Sequence, residues 1–147
     1  MKLSNLDEVR DLARRLRRDL VLETHRVDSP HIGSNLSIVD ILATLYARIL
    51  RYDAANPTWP ARDRFILSKG HACLSLYLVM VEAGFFPRDW LATFYADGGK
   101  LAGHATHKGV PGIEVSTGSL GHGIGLGSGM ALAAKRAGDA HRIFVLQ

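Results

Sequence analysis

Two stretches of this 147-residue chain hold side chains that could do chemistry. The first is Ser68-Lys69-Gly70-His71, which follows the apolar run Phe65-Ile66-Leu67 and opens a helical pattern. A strand that turns directly into a helix puts His71 beyond the strand's carboxyl end, where open parallel sheets bind ligands. Free backbone N–H groups at a helix start, together with a lysine and an imidazole, suit a phosphate. A histidine at such a place also serves simply as a polar cap, so both readings stand. The second stretch is Gly103-His104-Ala105-Thr106-His107. Histidines three apart can ligate zinc from one face of a helix. Gly103, Gly109 and Pro111 argue against a helix here, and no cysteine or carboxylate sits at ligand spacing.

Glycines at 121, 123, 125, 127 and 129 invite a dinucleotide reading, which fails on parity. The fingerprint needs glycines at i, i+2 and i+5, and odd positions alone cannot supply i and i+5. A Walker-type phosphate loop fails too, because Gly99-Lys100 is followed by leucine. On a helix, Gly121, Gly125 and Gly129 share one face and would let another backbone approach closely. Each glycine costs a helix about 1 kcal/mol relative to alanine, so tertiary contacts must hold this one.

The elements that must position these residues follow from periodicity. Ser4 and Asp7 predict a helix cap, and Leu6, Val9, Leu12, Ala13, Leu16 and Leu20 then recur at helical spacing. Arg10, Arg14, Arg15, Arg17 and Arg18 crowd the other side. With no aromatic residue between them they read as a solvated face, not a nucleic-acid site. A polar linker runs from Asp28 to Asn35, and Ile38, Ile41, Leu42, Leu45 and Ile49 mark a second helix. Tyr52 to Arg64, with Pro57 and Pro60, is a loop. The helix after His71 stops at Gly84, and Pro87 to Tyr95 predicts another. Asp97 to Thr117 is polar and irregular, hence functional or mobile. A glycine-rich helix over about 119–136 precedes the strand Arg142-Ile143-Phe144-Val145-Leu146. Strands alternating with helices predict an α/β fold, a parallel sheet covered on both faces.

Composition narrows the class. Hydrophobic residues make up 47% and charged residues 22%, which excludes a disordered chain, a collagen and a disulfide scaffold. Lysine and arginine (18) exceed aspartate and glutamate (14) by only four, too mild an excess to commit the chain to nucleic acid. Cys73 is the single cysteine and has apolar neighbours, so it reads as a small buried hydrophobe in a reducing compartment. The N-terminus lacks a signal-peptide pattern, and the apolar stretches near 73–81 and 124–134 are too short to span a bilayer. The expectation is a cytoplasmic protein with no membrane partner.

Several segments in order resemble the beginning of a transketolase over about residues 10–146. They are Ser29-Pro30-His31-Ile32-Gly33 before Leu36-Ser37 and Asp40-Ile41-Leu42, Arg62-Asp63-Arg64-Phe65-Ile66-Leu67-Ser68-Lys69-Gly70-His71-Ala72, and Leu101-Ala102-Gly103-His104. Pro111-Gly112-Ile113-Glu114, Ser116-Thr117-Gly118-Ser119-Leu120-Gly121-His122-Gly123 and Met130-Ala131-Leu132-Ala133-Ala134-Lys135 complete the set. The wording is most similar to the split form, in which two shorter chains share one enzyme.

The resemblance implies a three-layer helix/parallel sheet/helix fold that binds thiamine diphosphate, incomplete at the C-terminus. Residues 1–147 would form a single partial domain, the N-terminal part of the diphosphate-binding domain. The activity implied is transfer of a two-carbon ketol unit from a ketose phosphate to an aldose phosphate. His71 would contact the cofactor diphosphate. His31 and His104 would face the sugar-phosphate substrate and assist proton transfer, and the backbone of Gly118, Ser119 and Leu120 would hold the aminopyrimidine side. A tight backbone approach would account for glycine at 118. His107 matches no family role. Pro30 and Ser34 stand where the family has glycine, and His122 where it has glutamine. The family's Gly-Asp-Gly Mg²⁺ motif and catalytic glutamate come after the last strand. The chain alone is therefore expected to be inactive, to need a C-terminal partner chain or further domain, and to form homo- or hetero-oligomers. A non-catalytic binding or scaffold remnant of the fold and a 1-deoxyxylulose-phosphate-synthase-like enzyme are the alternatives.

Overall fold

A computed structural model describes all of residues 1–147. Helix α1 (Leu6–Val27) begins at a capping box centred on Asn5, one residue beyond the expected Ser4. The Asn5 side chain accepts the Glu8 backbone N–H at 2.9 Å, and the Glu8 carboxylate accepts the N–H groups of Ser4 and Asn5. The stripe Val9, Leu12, Ala13, Leu16 and Leu20 is buried as predicted, whereas Leu6 is exposed. The five arginines opposite are each tied to a carboxylate: Arg10 to Asp7, Arg14 to Asp11, Arg15 to Glu82, Arg17 to Asp40 and Arg18 to Asp19.

The linker is partly helical, because α2 (Ile32–Leu36) forms within it. Helix α3 (Val39–Thr44) runs on into a wider π-type turn over Leu45–Ile49. By length and composition residues 32–49 match a membrane-crossing helix, a longer apolar stretch than the two named above. It is broken between α2 and α3, and Ile38, Val39, Leu42, Ala43, Tyr46 and Ala47 lie in the core. Strand β1 (Arg64–Leu67) leads through a 3₁₀ turn (Gly70–Ala72) into α4 (Cys73–Ala83), which ends on Gly84 in the left-handed region. The predicted helix after Pro87 is a 3₁₀ segment, Arg88–Thr93. Helix α5 (His122–Ala137) precedes β2 (Ile143–Leu146), and β1 and β2 pair in parallel with Arg64 opposite Ile143 and Leu67 opposite Leu146.

The pleat sorts the strand side chains into two layers. Phe65 and Leu67 face the core built by α1, α3 and α4, with Phe144 and Leu146 packed beside them. Ile66, Ile143 and Val145 face α5. The glycines admitting this contact are not the predicted 121/125/129 set. A Cβ on Gly127 would collide with the Val145 side chain, and one on Gly123 would lie 2.5 Å from Ser68 Cβ. Around Gly121, Gly125 and Gly129 the space is open. Gly129→Ala should therefore stabilise the fold by up to about 1 kcal/mol through helix propensity, while Gly127→Ala destabilises it. Urea unfolding midpoints that move in the same direction for both would contradict this packing.

One buried carboxylate ties the feet of the two strands together. The Asp63 side chain is 0% exposed and accepts the backbone N–H groups of Arg51 (3.0 Å) and Arg142 (2.9 Å) and both guanidinium groups. Burial pushes its carboxyl up, but the hydrogen bonds from Arg142 and Arg51 outweigh this and hold it well below the usual carboxylate range. Asp63→Ala should cost about 2 kcal/mol, read as a lowered urea midpoint. The loss stays moderate because both arginines are half exposed and rehydrate instead of being stranded.

Candidate functional site

The carboxyl ends of β1 and β2 open on a cavity of about 300 Å³ lined by Ser68, Lys69, His71, Leu120, Gly121 and Gln147. His71 reaches it because Gly70–Ala72 tightens into a 3₁₀ turn before α4 starts. The Ser68 hydroxyl, buried at the strand's end, accepts the Gly123 backbone N–H at 3.1 Å and so caps the first turn of α5 from outside. Gly121 precedes that turn at φ 88, a backbone state that suits glycine.

Three imidazoles gather here from separate elements. The ring centroids of His31 and His71 are 4.9 Å apart, His31 and His104 6.3 Å, and His71 and His104 6.5 Å. His31 stands just before α2 at φ 75, a left-handed state uncommon outside glycine. Asn35 braces it. The Asn35 side-chain amide donates to the His31 carbonyl at 3.0 Å, while its amide oxygen accepts the Ser75 backbone N–H at 2.9 Å. This buried asparagine joins the turn carrying His31 to α4. His104 is set by Tyr77, whose hydroxyl donates to the carbonyls of Ala102 (3.1 Å) and His104 (3.2 Å).

The irregular segment closes on the strand end through named bonds. The Ala105 N–H donates to the Gly70 carbonyl, the Thr117 N–H to the Ala105 carbonyl, and the Thr117 hydroxyl to the Leu67 carbonyl at 2.6 Å. Gly118 is thereby brought beside His104, whose Cδ2 is 3.5 Å from where a Gly118 Cβ would sit. That is ordinary contact, so no protein neighbour requires glycine at 118. A close approach occurs at Gly70, where a Cβ would collide with the Thr117 carbonyl. Gly118, Ser119 and Leu120 are exposed, with Leu120 on the cavity wall beside His71. The structure therefore brings all six sequence-derived residues to one end of the sheet.

Neighbouring groups shape the charge. Burial, then the nearby His31, His104 and Lys69, lower the proton affinity of His71, and burial lowers that of Lys69. A neutral His71 ring both donates and accepts. The fold favours that neutral form, so stability is unaffected above the ordinary histidine value and falls as pH drops below about 6.5. Urea midpoints should decline less steeply over that window in His71→Gln than in the parent. Identical pH profiles would refute the assignment. His107 stays apart, its Nδ1 bonded to the Ser116 hydroxyl at 2.8 Å. No group of His, Cys, Asp or Glu is arranged to hold a metal ion, which removes the support for a zinc reading of His104 and His107. Cys73 is buried, and burial pushes its thiol up to about 12, consistent with an inert packing role.

The donors around the cavity decide which groups it suits. Lysine, imidazole, hydroxyl and a helix start fit the diphosphate of thiamine diphosphate. No carboxylate lines it, so these residues do not fit Mg²⁺.

Comparison with known proteins identifies the family. The family model described as "Transketolase, thiamine diphosphate binding domain" matches residues 7–142. The chain is 41% identical over 141 residues to one of the subunits of apulose-4-phosphate transketolase from Actinobacillus succinogenes, covering 95% of this chain and 51% of that protein. It is 42% identical over 130 residues to the protein of the same name from Phocaeicola vulgatus, covering 88% and 46%. The chain thus spans about half the length of these curated relatives. The crystal structure of transketolase from Campylobacter jejuni superposes with a TM-score of 0.90 at 31% identity, over 97% of this chain and 23% of that one. With family match, fold and histidine cluster in accord, the chain belongs to the transketolase family as its N-terminal, thiamine diphosphate-binding domain.

Proposed function

We propose that this chain supplies the diphosphate-binding part of a two-chain enzyme that moves a two-carbon ketol unit from a ketose phosphate to an aldose phosphate. The observation that carries this reading is the convergence of His31, His71 and His104 at the strand ends of a chain in this family. Similarity to proteins named as single subunits of a transketolase supports a companion chain. No carboxylate lines the cavity, so the Mg²⁺ ligands are assigned to groups outside it.

Thiamine diphosphate, when bound, supplies an electron sink for breaking a carbon–carbon bond beside a carbonyl. The rest is done by side chains of this chain. His71 and Lys69, which line the cavity, would hold the diphosphate by donating to its oxygens. His31 and His104, both exposed, meet the hydroxyls of a sugar phosphate. Each can donate and accept at once and can move a proton at the reacting hydroxyl. The main chain at 118–120 would hold the aminopyrimidine side. The chain without its companion is expected to be inactive.

The test is ketol transfer between sugar phosphates by this chain with its companion, thiamine diphosphate and Mg²⁺. We expect turnover, with kcat lowered about 100-fold or more in His31→Ala or His104→Ala, the scale of general acid–base assistance. Cofactor binding with no turnover across ketose and aldose phosphates would instead support a non-catalytic binding protein.

A further inference from the structure

We propose that Ser34 is a positioning residue for His71, its hydroxyl donating to ring Nε2 so that Nδ1 carries the proton presented to an anionic ligand. The proposal rests on the reading of His71 as a diphosphate ligand.

The contact is direct, with Ser34 Oγ 2.8 Å from His71 Nε2. It is the one hydrogen bond that the His71 ring makes within the chain, so without Ser34 nothing in the protein would set its tautomer. The Ser34 hydroxyl proton, in turn, has no other acceptor in the chain, which favours its pointing at the ring nitrogen.

Ser34 is itself held in place. Its carbonyl accepts the Ser37 hydroxyl at 2.8 Å and the Lys69 ammonium at 3.3 Å, and Lys69 also donates to the Ser37 hydroxyl at 2.9 Å. Lys69 and His71 flank Gly70, so the turn after β1 grips α2 at two points, one through a cation and one through an imidazole. Asn35, the next residue, fixes α2 to α4 and to His31. A ring whose second nitrogen is bonded by a fixed partner presents its free nitrogen in one protonation state, and such support behind a ligand-facing imidazole sharpens binding. Glycine, which the transketolase resemblance leads one to expect at 34, has no hydroxyl to do this.

The test uses the assembled enzyme carrying ¹⁵N-labelled histidine. Ring nitrogen shifts of His71 without ligand should report the Nδ1–H tautomer in the parent and in Ser34→Thr, and a mixture or the Nε2–H tautomer in Ser34→Ala. The proton affinity of His71 should rise in Ser34→Ala, since the bond that stabilises the neutral ring is gone. Affinity for thiamine diphosphate should fall about three- to tenfold in Ser34→Ala, the worth of one neutral hydrogen bond. Affinity for thiamine should hold, and Ser34→Thr should restore the parent values. An unchanged tautomer and titration in Ser34→Ala would overturn the proposal, as would equal losses for thiamine and thiamine diphosphate. Failure of the parent enzyme to bind thiamine diphosphate would overturn the functional reading and the diphosphate part of this one. The ligand-free tautomer would still decide whether Ser34 sets the ring.

Discussion

Gly70→Ala is expected to destabilise the fold by about 3 kcal/mol, the upper range for forcing an atom into a packed interior. The added Cβ would overlap the carbonyl carbon and oxygen of Thr117 and come within 2.7 Å of its Oγ1. Two of these three atoms are main chain, so no rotamer change relieves the clash. Thr117 cannot retreat cheaply either. Its N–H is bonded to the Ala105 carbonyl, its hydroxyl to the Leu67 carbonyl, and Ala105 is bonded back to Gly70. Making room means parting the 105–118 segment from the strand end, which breaks those bonds and carries His104 and Gly118 away from His71. Gly33→Ala, in α2 with open space around the site of its Cβ, is the matched control and should leave stability within about 0.5 kcal/mol or raise it. Urea unfolding followed by circular dichroism measures both. A Gly70→Ala protein as stable as the control would show that the segment does not close as described.

His71→Ala is expected to weaken thiamine diphosphate binding by up to about a hundredfold, the upper worth of one hydrogen bond to a charged group. The effect should be confined to the phosphates, because His71 lies beside Lys69 at the strand end, while the aminopyrimidine side is assigned to the main chain at 118–120. Thiamine without phosphates should bind the variant and the parent alike. Titration calorimetry of the assembled enzyme with both ligands separates the cases. Equal losses for the two would mean that the substitution only disturbs the fold, and no loss for either would remove His71 from the site.

Much of this organisation is legible from local pattern. The α1 stripe, both strands and the place of His71 after β1 follow from periodicity, since each depends on neighbours a few residues away, and the parallel pairing follows from the alternation of strands with helices. What fails depends, except at the first helix cap, on distant partners. Ser4 and Asn5 are both plausible caps, and Glu8 chooses between them. Helical spacing groups Gly121 with 125 and 129, but only the position of Ser68 and Val145 shows that Gly123 and Gly127 are the packed ones. Nothing in the sequence marks Gly70 as a site of close approach, because the carbonyl it meets belongs to Thr117, 47 residues on.

The braces behind the histidines are the least legible. Asn35 looks like a linker polar residue, Tyr77 is lost in an apolar helix, and Ser34 shows only as a local departure from the family's glycine, with no partner named. Their partners, Ser75, the carbonyls at 102 and 104, and His71, lie 25 to 40 residues away. No short motif encodes such pairs.

The seven histidines allow a direct check of whether 31, 71 and 104 form one ligand site. Thiamine diphosphate is titrated into the assembled enzyme while the ring ¹³Cε1–H signals of all seven are followed by NMR. The geometry predicts that the signals of 31, 71 and 104 shift together along one binding curve, while those of His25 and His141 stay in place. Separate curves for the three rings, or shifts at His25 and His141 with none at His71, would contradict it.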